Sequence, residues 1–382
     1  MPKKKRDSPT LVIATDEAGY GPTLGPLVVA ATVWKCHGDI DAAMQRVQRP
    51  IQRPDGSTLQ ITDSKAVYQS GKHSTTGLHN LHTLFRASLR RVSTSRDAND
   101  SQIQSSLSLR DALLRMAPAN LAGDLTSWVE MPWYAAVGST SFALPDGQRS
   151  SNQSNGDAGW MAMDDAIEKR LNHENARLCD AKLSILHAAA FNHQCARWGN
   201  KASVLTQTTL QMVADLIQSF TESSTQASSH KIGNGVPPGI GKIQVRCDRH
   251  GGRKRYLPMI LDAFPDCDAY KILEEQSADS RYEIQDSGRS IEFRFTVGGD
   301  RFAPCGLASI LAKYTRERLM LLLNEYFAEE WNRKHHRAGQ TDSTQKLKPT
   351  AGYPVDANRF LAEIQGLIRS LKIDPSTLVR CR

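Results

Sequence analysis

The chain has 382 residues, a formal net charge of +8 and 40% hydrophobic residues, as expected of a globular protein with a sizeable core. No apolar run approaches the roughly 20 residues that a membrane span needs, so we expect no membrane partner. Residues 1–9 form a basic tail that lacks the apolar segment of a secretory signal.

The seven cysteines are scattered and include no Cys-x-x-Cys pair. This spacing argues against a structural zinc site and a disulfide framework, and it favours a reducing, cytoplasmic location. The excess of positive charge weakly favours a polyanionic partner.

The first predicted elements are two strands joined by a turn. Residues 11–16 form an apolar run that ends in Asp16, and residues 27–34 form a second, β-branched run. The segment between them is rich in Gly and Pro, so the pattern predicts a hairpin with a bulky connection.

The remaining predicted elements alternate between helices and strands. In chain order they are a helix at 78–91, polar loops at 92–110 and 141–158, a mostly helical stretch at 160–220, a loop at 221–241, strands at 243–248 and 290–297, a helix at 306–327, a charged loop from 328 and a helix at 356–371. This order predicts an α/β fold with a mixed central β-sheet flanked by helices and interrupted by loop and helical insertions.

Four acids are candidates for a common site: Asp16, Glu17, Asp248 and Glu317. Asp16 and Asp248 each end an apolar strand, which is the edge where sites form in open α/β sheets. Several carboxylates at one place repel each other unless a cation lies between them, and Mg²⁺ prefers such oxygen ligands. Two divalent ions at roughly 3.5–4 Å from each other can catalyse phosphodiester cleavage.

Asp16 and Glu17 are neighbours on a strand, so their side chains point to opposite faces. We expect them to share a site only if the backbone bends, and Gly19 and Gly21 favour a bend. Glu317 lies at the edge of an apolar helical stripe, four residues after Lys313.

Each of these features also has a simpler interpretation. A strand-end Asp is commonly a turn or cap residue, and Lys313 with Glu317 fits an ordinary surface pair. The Asp63-Ser64-Lys65 segment can begin a helix as its cap. The basic stretch at 249–255 is either a solvated turn or a set of phosphate contacts.

Several motifs resemble those of type 2 ribonuclease H, the family of ribonucleases HII and HIII. The opening motif is Asp-Glu-Ala-Gly-Tyr-Gly-Pro-Thr-Leu-Gly-Pro-Leu-Val-Val-Ala-Ala at residues 16–31. It is followed by Thr-Asp-Ser-Lys at 62–65, Val-Arg-Cys-Asp at 245–248, Ala-Ser-Ile-Leu-Ala-Lys-Tyr-Thr-Arg-Glu-Arg-Leu-Met at 308–320 and Ala-Gly-Tyr at 351–353.

The resemblance implies a ribonuclease H-like fold and hydrolysis of the RNA strand of RNA–DNA hybrids, or cleavage at ribonucleotides embedded in duplex DNA. It implies two Mg²⁺ or Mn²⁺ ions held by Asp16, Glu17, Asp248 and Glu317. The backbone of Gly19, Tyr20 and Gly21 would read the ribose 2′-hydroxyl, the group that distinguishes RNA from DNA. The further substrate residues would be Ser64, Lys65, Lys313 and Tyr353, with Tyr353 stacked on a sugar.

Three positions depart from the family pattern. Tyr20 replaces the Arg usual in ribonuclease HII, Glu317 replaces Asp, and Pro354 follows Tyr353 in place of Gly. They leave open two alternatives: a catalytically weak or inactive nucleic-acid-binding relative, and another polynucleotide nuclease on the same fold. We expect a monomer with a catalytic domain at 10–335, an insertion at about 92–160, and a helical extension at 336–382 that packs on the catalytic domain.

Overall fold

The computed structural model describes residues 8–68, 74–93, 107–117, 131–144, 156–226, 242–337 and 346–381. Most of the basic tail and parts of the expected insertion, at 94–106, 118–130 and 145–155, lie outside these ranges. The strands are β1 (Thr10–Ala18), β2 (Leu27–Cys36), β3 (Ile51–Gln52), β4 (Thr58–Leu59), β5 (Asn172–His173), β6 (Ala176–Leu186), β7 (Lys242–Asp248), β8 (Ala269–Glu275), β9 (Asp279–Asp286) and β10 (Arg289–Thr296).

The helices lie between and after these strands. They are α1 (Ile40–Val47), α2 (Ser64–Val67), α3 (Ser74–Ser93), α4 (Leu109–Arg115), α5 (Gly156–Leu171), α6 (Ala188–Trp198), α7 (Lys201–Gln226), α8 (Leu257–Ala263), α9 (Ala303–Arg337), α10 (Pro354–Ser370) and α11 (Pro375–Leu378), with short 3-10 turns at Pro132–Gly138 and Gly299–Arg301. No described helix has the length and apolar character needed to cross a membrane.

The eight-stranded sheet has the order β5-β6-β2-β1-β7-β10-β9-β8. At its centre, β1 pairs antiparallel with β2 and parallel with β7, and β7 pairs parallel with β10. A mixed sheet of this kind, flanked by helices, confirms the expected α/β class.

Two hydrophobic cores cover the two faces of the sheet. Alternate residues of β1 divide between them, since Val12 belongs to the core under α9 and Ile13 to the core under α7 and α8. A strand that is buried on both faces needs a nearly continuous apolar run, which explains the sequence of residues 11–14.

Several boundaries differ from the sequence-based expectations. The stretch at 160–220 is mostly helical, as expected, but β5 and β6 interrupt it, and β6 pairs with β2 over ten residues. The charged segment after 328 is not a loop up to Arg337, because α9 continues through it. The paired strands β8 and β9 were not predicted at all.

Candidate active site

Two acids stand at the carboxyl ends of neighbouring parallel strands. The last registered pair between β1 and β7 is Thr15 with Cys247, and Asp16 and Asp248 follow directly. Cys247 packs in the core under α7 and α8, so the next residue of β7 faces α9. Asp16 faces the same way, and the two backbones lie about one strand spacing, ~4.8 Å, apart.

A third acid lies beside this pair. Asp16 is only 8% exposed, and burial, with the charges of Glu17 and Asp248, raises the pKa of Asp16 well above its usual value. Burial, with the charge of Asp248, also raises the pKa of Glu17. The structure therefore brings Asp16, Glu17 and Asp248 into one region of concentrated negative charge.

The expected bend between Asp16 and Glu17 is absent. β1 remains in register with β2 through Ala18, and the backbone turns only at Gly19, where φ is +90°. Pairing with β2 holds the strand straight up to that glycine. The charge of Asp248 still acts on Glu17, and both residues lie beyond the last registered pair of β1 with β7.

The residues of the Asp-Ser-Lys segment reach the acids partly through α9. The hydroxyl oxygens of Ser64 and Ser309 are 2.9 Å apart, and Ser309 also forms a hydrogen bond with Asp16. The side chain of Lys65 is exposed, and its charge stabilises ionised Glu17. Ser64 and Lys65 thus lie beside the acids.

Asp300 is a nearby acid that was not among the four candidates. Burial and the charges of Asp63 and Asp248 raise its pKa. A signal was available, since Asp300 closely follows β10 and the carboxyl ends of parallel strands share one edge of the sheet. Asp63 has a second role as the cap of α2, where it accepts a hydrogen bond from the N–H of Lys65 at 2.9 Å.

Glu317 is held by partners other than the three gathered acids. Its Oε1 accepts a hydrogen bond from Lys313 Nζ at 2.7 Å, and its Oε2 accepts one from the Tyr68 hydroxyl at 3.1 Å. Arg316 lies 3.6 Å away. Lys313 therefore meets Glu317 as the i,i+4 pair that the helical spacing allowed.

The chemistry of the gathered acids fits a hard divalent cation. Their donors are carboxylate oxygens, and a cation among them would offset both the burial and the repulsion from Glu17 and Asp248 that raise the pKa of Asp16. Within the described ranges, no three His, Cys, Asp or Glu side chains are placed closely enough to hold a metal ion together. Asp248 Oδ1 accepts a hydrogen bond from Gly299 N at 2.8 Å.

The glycine-rich turn at 19–21 packs against the Ala-Gly-Tyr motif at 351–353. Two N–H groups that follow the turn donate to the carbonyl of Gly352 at 2.8 and 3.1 Å. A Cβ on Gly21 would stand 3.9 Å from the ring of Tyr353, which is 53% exposed. The turn and Tyr353 therefore line one surface.

Tyr20 lies on the side of the basic loop that follows β7. Its hydroxyl packs against Gly251, and Lys201 Nζ is 5.2 Å from the centre of its ring. Burial and the charge of Glu17 raise the pKa of Tyr20, while Arg253 acts in the opposite direction. Positive charge thus stands beside the turn although residue 20 is neutral.

The basic loop at 249–255 has mixed roles. Arg249 donates hydrogen bonds to three backbone carbonyls, and His250 is buried, so both residues hold the loop in shape. The side chains of Lys254 and Arg255 are exposed.

Comparisons with known proteins show likeness in structure only. No family model matches the chain, and no curated protein matches it. Ribonuclease HII of Archaeoglobus fulgidus, solved in a complex with PCNA, is 13% identical, with a TM-score of 0.33 over 97% of this chain and 94% of that chain. Ribonuclease H2 of Pyrococcus horikoshii OT3 is also 13% identical, with a TM-score of 0.30 over 97% and 92%.

A third solved structure is Bst ribonuclease HIII in complex with Mn²⁺. It is 13% identical, with a TM-score of 0.33 over 97% of this chain and 66% of that chain. The structures to which the chain is similar are type 2 ribonucleases H.

The residues expected from the type 2 ribonuclease H motifs fall into two neighbouring groups. One holds Asp16, Glu17, Asp248, Ser64 and Lys65. The other holds the turn at 19–21 and Tyr353. Arg316 joins the second group to the pair of Lys313 and Glu317, because it contacts Gly19, Ala351 and Glu317.

Proposed function

We propose that the chain is an endoribonuclease that hydrolyses the RNA strand of RNA–DNA hybrids with two divalent metal ions. The observation that supports this most directly is the gathering of Asp16, Glu17 and Asp248 at adjacent parallel strand ends. The turn at 19–21, whose backbone would read the ribose, follows β1 directly, which supports a common site with the acids.

In the proposed mechanism, each group of residues has a distinct task. Asp16, Glu17 and Asp248 would hold Mg²⁺ or Mn²⁺, with Glu317 contributing after it leaves Lys313. Bound divalent ions supply charge neutralisation at the scissile phosphate and lower the pKa of the attacking water. Ser309 would fix the rotamer of Asp16, and the turn at 19–21 would hold the ribose by its 2′-hydroxyl.

Further parts of the molecule would bind the rest of the duplex. Tyr353 would stack on a sugar beside the turn, and Lys65 would contact a phosphate near the acids. The exposed Lys254 and Arg255 would lie along the backbone of the duplex and make binding weaker at high salt.

The test is cleavage of three labelled duplexes: an RNA–DNA hybrid, DNA with one embedded ribonucleotide, and plain DNA, each with Mg²⁺ and with Mn²⁺. We expect cleavage of the RNA-containing substrates only. Asp16→Asn and Asp248→Asn should reduce cleavage to background while leaving the circular dichroism spectrum unchanged.

A matched control uses an acid remote from the site. Asp164 pairs with Arg86 at 2.6 Å, and Asp164→Asn should leave the cleavage rate unchanged. Wild-type rates in both site variants, or no cleavage of any RNA-containing duplex by the wild type, would contradict the proposal.

A second candidate function is binding of the hybrid without cleavage. It is favoured by Glu317, because both oxygens of its carboxylate already accept hydrogen bonds, one from Lys313 and one from Tyr68. Tight binding of the hybrid with no product under either metal would select this alternative. Cleavage of plain DNA would select a different nuclease on the same fold.

A further inference from the structure

Arg380 is a buried cation that touches the glycine-rich turn from the far end of the chain. It is 3% exposed, and its guanidinium lies over the ring of Phe191, 4.2 Å from the centre. Nη1 donates a hydrogen bond to the carbonyl of Gly19 at 2.5 Å, and Nη2 donates to the carbonyl of Tyr20 at 3.0 Å. One side chain thus fixes two successive peptide groups.

The backbone around Arg380 is itself fixed. Its N–H donates to the carbonyl of Thr23 at 2.9 Å, and Val379 forms an antiparallel bridge with Leu24. The side chain of Asn192 bonds to the carbonyl of Val379 and to the N–H of Cys381, at 2.9 and 2.7 Å. The guanidinium is therefore presented to the turn by an ordered segment.

These contacts determine where the N–H groups of the turn point. The described peptide bonds are trans, so each N–H points away from the carbonyl of its own peptide. Because both carbonyls face Arg380, the N–H groups of Tyr20 and Gly21 point away from it. No described group accepts a hydrogen bond from either of them.

We propose that Arg380 is a positioning residue that aims the N–H groups of Tyr20 and Gly21 at the ribose of the bound RNA strand. This inference rests on the proposed function, in which the turn reads the 2′-hydroxyl. Arg380 itself makes no contact with substrate. Burial and the charge of Arg316 lower its pKa to about 10, so it stays cationic near neutral pH and makes strong hydrogen bonds.

The test compares Arg380→Met with Arg380→Lys and with a matched control, Arg318→Met. Arg318 is also buried and also donates to two loop carbonyls, those of Phe142 and Ser141 at 2.9 and 2.6 Å. Dissociation constants for the hybrid and for plain DNA are measured without metal, and kcat and KM are measured with Mg²⁺ or Mn²⁺.

We expect Arg380→Met to weaken hybrid binding by about 10- to 100-fold and to leave binding of plain DNA unchanged. Arg380→Lys, which can reach only one carbonyl, should give an intermediate loss, and Arg318→Met should keep the wild-type ratio of hybrid to DNA affinity. In wild-type NMR spectra, the amide signals of Tyr20 and Gly21 should shift when hybrid is added.

An unchanged ratio of affinities in Arg380→Met, or hybrid binding without any shift of the two amide signals, would overturn the inference. Failure of the proposed function looks different, because the wild type would then cut no hybrid. In that case the affinity ratio and the amide shifts still decide the role of Arg380.

Discussion

Gly19 is a residue whose missing Cβ lets three segments of the chain meet. Its φ is +90°, and a Cβ there would collide with the carbonyl of Pro26 and lie 2.7 Å from Arg316 Nε. Arg316 in turn donates to the carbonyl of Ala351 at 2.9 Å. The end of β1, helix α9 and the 351–353 segment therefore pack around this one glycine.

Gly19→Ala should therefore be more costly than an ordinary glycine substitution. Gly56 is a matched control, with φ of +82° and no atom within 4 Å of an added Cβ. Gly56→Ala should cost about 1 kcal/mol of left-handed backbone strain. Gly19→Ala should cost about 1–3 kcal/mol more from overpacking, and should abolish hybrid cleavage. Urea unfolding measures both costs, and equal costs would contradict the packing described around Gly19.

Much of the site could be predicted at the residue scale, because its acids follow recognisable strands. Asp16 and Asp248 end apolar runs, and the parallel pairing of those runs brings the acids together. Arg380 could not be predicted, since nothing in its neighbourhood along the chain indicates that it meets Gly19. The partner of Glu317 could not be predicted either. Helical spacing allowed an ion pair with Lys313, which the structure has, and it also allowed a position beside Asp16 and Asp248.

At the scale of elements, strong local patterns were predictable and strands that depend on partners were not. The alternation of Ile291, Phe293 and Phe295 identified β10, and all three are buried. Val297 is 55% exposed, because the strand ends at Thr296, one residue before its expected end. β6 forms because it pairs with β2 along the whole length of β2. Tertiary pairing of this kind overrides local propensity.

Strand β8 leaves the edge of the sheet partly uncovered. Tyr270 and Ile272 pair with Ile284 and Tyr282 of β9, so all four lie on the face under α7 and α8. Ile284 and Tyr282 are fully buried, whereas Tyr270 and Ile272 are 57% and 48% exposed. The apolar face of the sheet thus extends beyond the helices that cover it.

Two isoleucines on this face should respond differently to truncation. Ile284→Ala should lower the free energy of unfolding by roughly 2–5 kcal/mol, because it leaves a cavity in the core. Ile272→Ala should lower it by less than about 1 kcal/mol, because half of the side chain is already in water. Urea titrations of both variants check this, and an equal loss would mean that Ile272 is covered in solution.

At the scale of the whole molecule, two buried histidines make stability depend on pH. Burial lowers the pKa of His82 and of His250 to about 3. Nδ1 of His82 lies 2.8 Å from the hydroxyl oxygen of Tyr314, which also accepts a hydrogen bond from Arg318, so added charge on this ring would stand beside a buried guanidinium. Acidification therefore acts against the folded state through both rings.

The sign and the pH window follow from the two pKa values. Between about pH 6.5 and pH 3, these histidines bind protons in the unfolded chain but stay neutral in the folded protein. Their contribution to the free energy of unfolding is therefore fully present above about pH 6.5 and is lost as the pH falls below that value. The raised pKa values of Asp16 and Glu17 act in the opposite direction, so the histidine contribution is best measured by comparison of variants.

His82→Asn should reduce the loss of stability between pH 7.5 and pH 5 by about 2 kcal/mol relative to wild type. His193 is exposed, and His193→Asn should leave the loss unchanged. Urea titrations at the two pH values measure it, and equal slopes for wild type and His82→Asn would show that His82 is not held neutral by burial.

The bond between Gly19 and Arg380 spans 361 residues and has a consequence for biosynthesis. At roughly 5–20 residues per second, the ribosome adds Arg380 tens of seconds after Gly19. The nascent chain can pair β1 with β2 early, but its glycine-rich turn has no anchor until translation has passed residue 380. Nascent chains that end before residue 380 would therefore carry a turn at 19–21 whose two carbonyls lack their guanidinium partner, even where the central strands have already paired.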